Sequence, residues 1–163
     1  MDAKQIELLQ NMAIFGGLRN DSLEWLLEKS QTRSIPQGEF FFKQEDEGGS
    51  MFVVLEGTLS IQKSWKGYGQ EIKTLSTGDC FGEMSLIDLQ PRSASVQAVE
   101  DCTVIEITSA ILDELRQRDL EEFALIYMNM GREISRRLRV TSKRLFNAKM
   151  QGYLGAEELY YDV

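Results

Sequence analysis

Apolar and polar positions change their period twice along this chain. Over residues 3–13 and 21–30 apolar side chains recur at helical spacing (Ile6, Leu9 and Met12, then Leu23, Leu26 and Leu27), with Gly16-Gly17 and the capping pair Asn20-Asp21 between them. Two short helices are predicted. From Ser34 to Ile107 the pattern shortens to runs rich in Phe, Val, Ile and Thr, broken by Gly38, Gly48-Gly49, Gly57, Gly67, Gly69 and Gly78. That is an antiparallel region of about eight strands, the punctuation of a sandwich or barrel. Within it, Met51 to Leu55 and Thr58 to Lys63 read as a hairpin around Glu56-Gly57, and Lys66 to Gly69 turns the next one toward Gln70 to Leu75.

After Thr108 the helical period returns, first over Ser109 to Gln117 and then over a long run from Leu120 to Ala148. Phe123, Tyr127, Met130, Ile134, Leu138, Thr141 and Leu145 recur there at steps of three and four, a coiled-coil-like seam. Its part over 123–134 is expected to pack on the β body. Beyond Leu138 it is expected to meet a partner helix, because a helix rising ~1.5 Å per residue outruns a small domain. Gly131 is expected to bend it.

The 163 residues, 42% hydrophobic and 27% charged, suffice for one domain with a core of its own, without metal or disulfide. There is no histidine, which excludes Ser-His-Asp and Cys-His catalytic units and HExxH zinc helices. Cys80 and Cys102 lack CxxC spacing and read as reduced, buried thiols rather than a functional pair. With no membrane-length apolar run and no signal-like start, the protein is expected in the cytoplasm.

The net charge of −8 is unevenly spread: residues 1–131 carry 11 basic and 22 acidic side chains, residues 132–149 carry 7 and 1, and residues 150–163 carry 0 and 3. The basic stripe of Arg132, Arg136, Arg137, Arg139, Lys143, Arg144 and Lys149 admits two readings, a polyanion or membrane face and a solvated helix face. The acidic body and tail oppose long-range attraction of polyanions and favour the second. Neither nucleic acid nor membrane is therefore expected as a partner.

One segment carries chemistry. Phe81-Gly82-Glu83-Met84-Ser85-Leu86-Ile87-Asp88-Leu89-Gln90-Pro91-Arg92-Ser93-Ala94-Ser95-Val96 interrupts the β pattern with a short helix, Met84 to Leu89, closed by Pro91, and resumes as a strand at Ser93. Gly82 permits close backbone approach, and the first amides of the helix, at Met84 and Ser85, face where an anion would sit. Arg92 supplies paired donors that match two phosphate oxygens, and Ser93 adds a hydroxyl. Glu83 beside a phosphate requires something that donates to it, such as a ribose 2′-hydroxyl. The alternative is that Glu83 and Arg92 form an internal ion pair inside ordinary core.

This stretch resembles the phosphate-binding cassette of the cyclic nucleotide-binding domain family, in which FGE, a short helix and R[ST]A stand at this spacing. Ile14-Phe15-Gly16-Gly17-Leu18 is similar to the family's entry motif. Ile35-Pro36-Gln37-Gly38-Glu39, Phe52-Val53-Val54-Leu55-Glu56-Gly57 and Thr77-Gly78-Asp79 resemble its glycine-marked turns, so that residues 12–145 are covered. The resemblance implies an α+β fold: an eight-stranded antiparallel, jelly-roll-like β-roll flanked by N-terminal helices and a long C-terminal helix. The expected divisions are helices over 1–33, the roll over 34–108 with its cassette at 81–96, helices over 109–148 and an acidic tail over 149–163. By the same resemblance Glu83 binds the ribose 2′-hydroxyl and Arg92 the cyclic phosphate. The backbone of Gly82, Met84, Ser85 and Ala94 takes the remaining oxygens, and Ser93 meets phosphate or base.

Arg136-Arg137-Leu138-Arg139-Val140-Thr141-Ser142 resembles the central dimerisation helix of the bacterial catabolite activator branch, which implies that Thr141 and Ser142 read adenine, one of them from a neighbouring subunit. Read from the residues alone, these hydroxyls back-bond to the helix or face solvent. After Leu145 only 18 residues remain, too few for the helix-turn-helix module of that branch. The expectation is a non-enzymatic, stand-alone sensor of cAMP or, less favoured, cGMP, without prosthetic group, dimerised through its last helix and acting on an effector protein. The tail, Gly152 to Val163, reads either as a flexible end or as a docking segment for that effector. The competing expectation is an assembly protein that keeps the fold and ignores nucleotides.

Overall fold

The computed structural model describes the backbone of residues 3–161 and the side chains of residues 3–152. It divides into one unit ending at Asn129 and a second beginning at Met130. The first opens with α1 (Ala3–Gln10), a 3-10 turn (Ala13–Phe15) and α2 (Asn20–Lys29). Eight strands follow: β1 (Gln31–Ile35), β2 (Phe40–Phe42), β3 (Ser50–Glu56), β4 (Leu59–Trp65), β5 (Tyr68–Leu75), β6 (Cys80–Phe81), β7 (Ser95–Ala98) and β8 (Cys102–Thr108). A short α3 (Met84–Asp88) lies between β6 and β7, α4 (Ser109–Arg118) follows β8, and α5 (Leu120–Tyr161) begins in this unit.

The strands form two antiparallel sheets, ordered β1-β8-β3-β6 and β2-β7-β4-β5. Alternation along each strand explains the core between them. Phe52 and Val54 of β3, Cys102 and Val104 of β8, and Val96 and Ala98 of β7 all join one buried cluster with Leu59, Leu75 and Phe81. In the first sheet Met51, Val53, Ile105 and Ile107, on the opposite face, are buried too. That sheet is covered on both sides, whereas β5 of the second is exposed until Leu75.

The fold is the eight-stranded α+β roll that the sequence predicts, with three differences. Residues 51–55 and 58–63 do not form a hairpin, because β3 and β4 belong to different sheets and Glu56-Gly57 carries the chain across. Gly57 has φ +95°, and a Cβ there would stand 2.7 Å from the Asp101 carbonyl oxygen, so the turn is held by packing against the segment before β8. The true hairpin is β4–β5, where Trp65 faces Tyr68 across Lys66 (φ 49°) and Gly67 (φ 82°), the two positive angles of a type I′ turn. Second, β1 begins at Gln31, earlier than the apolar runs indicate. Its polar residues Gln31 to Ser34 are drawn into the sheet by pairing with β8. Third, β7 starts at Ser95 because Arg92 bonds elsewhere, its N–H donating to Asp46 O at 2.8 Å and its carbonyl accepting from Glu45 N at 2.9 Å.

At the start of α5 the buried positions are Glu122, Ile126, Asn129 and Met130; of the predicted seam Met130 is buried, while Phe123 and Tyr127 are half-buried with ring centroids 4.6 Å apart. The covered face is thus centred off the predicted stripe. Asn129 Nδ2 donates to the carbonyls of Gly16 (2.9 Å) and Ile14 (3.3 Å), and Arg19 N donates to Glu122 at 3.0 Å. These bonds tie α5 to the entry segment that the glycine pair marks.

In the second unit α5 continues past Ala148 to Tyr161. The segment 149–161 contains no proline, and its Ala, Gln, Leu and Glu offset Gly152 and Gly155, so nothing in it stops the helix. Leu138, Val140, Leu145 and Phe146 are exposed here. The docking reading of the tail rests on side chains of residues 153–163, which lie outside the described residues. Cys80 and Cys102 are both buried. Among the described residues no helix is long and apolar enough to cross a membrane.

Candidate functional site

The site is built where β6 hands over to α3 and the chain returns toward β7. Gly82 follows β6 with φ +80°, a conformation glycine adopts without steric cost. A Cβ there would stand 2.7 Å from Arg92 Nη1 and 2.9 Å from Ser50 O, so the glycine is required by both angle and space. Glu83 occupies the N-cap position of α3 and is buried. The helix ends at Leu89, whose left-handed φ of 56° turns the chain ahead of Pro91 and brings Arg92 back toward Gly82.

Arg92 is the centre of the arrangement and is only 5% exposed. Its Nη1 donates to Ser50 O (2.8 Å), Ser85 Oγ (2.9 Å) and Gly82 O (3.0 Å). The guanidinium lies 4.1 Å from the Phe42 ring centroid and 5.8 Å from that of Phe52, a cation–π seat that closes one side of it. Among the described residues the buried Nε has no hydrogen-bond partner. Burial pushes the guanidinium below its ordinary pKa, and the carboxylates of Glu106, Asp46 and Glu83, in that order, act against the shift. A charge held in this way has a donor with which an anionic acceptor could bond.

Seven of the nine sequence-predicted residues are thereby gathered in one segment. Gly82, Ser85 and Arg92 are hydrogen-bonded to one another; Glu83 and Ala94 are buried beside them in the chain; Met84 and Ser93 are exposed, with Ser93 Oγ 3.8 Å from Met84 Sδ. Thr141 and Ser142 stand at exposed positions of α5 in the second unit.

Sequence reading missed Ser50, Phe42, Gly48 and Glu106. A Cβ at Gly48 would meet Ser85 Cβ at 2.4 Å, so this glycine, read only as a strand break, admits α3 to the turn before β3. Glu106 carried a legible signal. It stands two residues after Val104 and four after Cys102 on β8, on the face where alternation calls for an apolar side chain.

Two relatives and a solved structure resemble this chain. The cyclic AMP receptor protein of Thermus thermophilus is 33% identical over 80% of this chain and 59% of its own length. Human cGMP-dependent protein kinase 2 is 28% identical over 64% of this chain and 14% of its own. The chain therefore spans less than two thirds of either relative. The crystal structure of the Thermus thermophilus catabolite activator protein superposes with a TM-score of 0.73 at 31% identity, covering 82% of this chain and 61% of that one. Residues 32–119 match the family described as the cyclic nucleotide-binding domain, a span that holds all eight strands but the first residue of β1 and the whole segment around Arg92. The chain belongs to the cyclic nucleotide-binding domain family.

Proposed function

We propose that this protein is a sensor that binds a cyclic nucleotide, cAMP in preference to cGMP, and relays binding through α5 rather than catalysing a reaction. The observation that carries this reading is Arg92: a buried guanidinium whose Nε lacks an acceptor among the described residues. A buried donor left unmade is costly, and a phosphate oxygen supplies what is missing. Arg92 would hold the cyclic phosphate with the backbone of Gly82, Met84, Ser85 and Ala94. Glu83, acceptor-only when ionised, would take the ribose 2′-hydroxyl, and Ser93 would meet phosphate or base. Thr141 and Ser142 would read the purine, one from the second subunit of a homodimer formed along the exposed Leu138–Leu145 stripe. Preference for cAMP is favoured by the more similar of the two relatives, whose name is cyclic AMP receptor protein. Relay requires that ligand affinity differ between two states of the protein.

Calorimetric titration with cAMP and cGMP in parallel tests the reading. The expected result is a Kd of roughly micromolar or below for cAMP, with cGMP weaker. Arg92→Ala should cost about 2–5 kcal/mol of binding, since a desolvated phosphate loses its charge partner. No heat with either nucleotide, in folded protein free of copurified ligand, overturns the proposal in favour of an assembly role.

A further inference from the structure

Behind the anion site lies a second charged group that the family resemblance does not call for. Glu106, whose side chain is 17% exposed, accepts from Ser50 Oγ through Oε1 at 2.7 Å and from Arg33 Nη1 through Oε2 at 3.1 Å. Ser50 offers its carbonyl to Arg92 at 2.8 Å, the shortest of the three bonds that hold Nη1. Arg33 also lies 5.7 Å from the Phe52 ring centroid, on the ring that Arg92 approaches at 5.8 Å. Three strands are thereby linked at Ser50: β3 carries it, β8 holds its hydroxyl through Glu106, and β1 holds Glu106 through Arg33. Opposite Glu106, β3 presents Phe52, the ring that both arginines approach.

We propose that Glu106 and Ser50 are positioning residues for Arg92. Glu106, steadied by Arg33, grips the Ser50 hydroxyl, and the residue so fixed presents the carbonyl on which Nη1 rests. The guanidinium is thereby aimed before ligand arrives. The inference rests on the reading of Arg92 as the phosphate ligand.

The test is titration of the full chain with cAMP. Ser50→Ala and Glu106→Ala should each weaken binding about three- to tenfold, the span to which one net hydrogen bond corresponds. Glu106→Gln, which keeps an oxygen for the Ser50 hydroxyl, should recover most of that loss. In an Arg92→Lys background, where no guanidinium is left to aim, Ser50→Ala should change affinity by less than about twofold, the non-additivity expected of coupled residues. A role confined to folding would lower the melting temperature and leave cAMP affinity where it was, and that result overturns the proposal. So does full additivity of Ser50→Ala with Arg92→Lys. Ser50→Ala removes one hydroxyl from a strand and carries the test if Glu106→Ala does not fold. If Arg92→Ala itself leaves cAMP affinity unchanged, the anion reading falls and this inference with it. If Arg92→Ala weakens binding while Ser50→Ala and Glu106→Ala do not, only the positioning role is lost.

Discussion

The β-roll and the second unit's part of α5 use the same kind of sequence pattern and arrive at opposite surfaces. In the roll, alternating Phe, Val, Leu and Ile are covered by their own chain, Phe52 stacking on Phe81 at 5.0 Å and Val54, Leu59 and Val104 reaching zero exposure. In α5, Leu138 and Leu145 follow an equally regular period and remain 64% and 57% exposed. Periodicity therefore announces an element and a face. It does not announce what covers that face. The polar residues divide in the same way, since Glu83, Ser85 and Arg92 are buried among specified partners while Thr141 and Ser142 face outward. On the helix Arg136 and Arg137 pair with Glu133 one turn before them. Burial pushes the Glu133 carboxyl up, and the two arginines outweigh it and hold the carboxyl below its ordinary value.

The largest effect that sharpens this contrast is on folding. Phe52→Ala should cost about 3–5 kcal/mol in urea denaturation, the range for emptying a core aromatic site, whereas Leu138→Ala should stay within about 0.5 kcal/mol for the monomer. Equal losses at the two positions would mean that the helix face is covered in solution.

Gly82→Ala should follow, costing about 1–3 kcal/mol of stability for a side chain at positive φ and pushing aside Arg92, whose Nη1 would stand 2.7 Å from the new Cβ. Its cyclic nucleotide affinity should fall with its melting temperature, and a variant that binds as well as the parent would refute the requirement for glycine.

A smaller and more selective change is expected at Thr141→Ala and Ser142→Ala. Each should alter the ratio of cAMP to cGMP affinity by up to about tenfold, one hydrogen bond's worth, with no change in melting temperature. An unaltered ratio would leave these hydroxyls to solvent.

The smallest effect concerns acid. The hydrogen bond from Arg19 holds the Asp119 carboxyl below its usual value, aided by backbone donors at the start of α5. A carboxylate lowered in the folded state adds stability that is present above its unfolded pKa, about 4, and lost as pH falls through the folded value. Asp119→Asn should flatten the acid limb of a melting curve run from pH 5 to pH 2. Because the pair is exposed, the difference should shrink in high salt.

Much of this was legible in the residues. The helices, the strand-rich middle and the segment from Gly82 to Ala94 follow from period, glycine punctuation and the company of an arginine and a glutamate near a short helix. What was not legible came from pairings remote in the chain. Glu56-Gly57 looks locally like a hairpin turn, and only the pairing of β4 with β7 and of β3 with β8 shows that it crosses between sheets. Gln31 to Ser34 has no apolar alternation and becomes strand through its neighbour. Glu106 is visible as a break in alternation, yet its meaning depends on Ser50 and Arg33, 56 and 73 residues away.

The sequence by itself determined the helices and most of the strands, which residues carry charge into the cassette and which chemistry a histidine-free chain can attempt, because these depend on local sterics and side-chain type. The tertiary structure alone decided which arginine atoms are occupied and which donor is left open. It also decided that a glycine at 48 is a clearance for Ser85 and that a carboxylate on β8 supports the site, because burial and hydrogen-bond geometry arise only where distant segments meet.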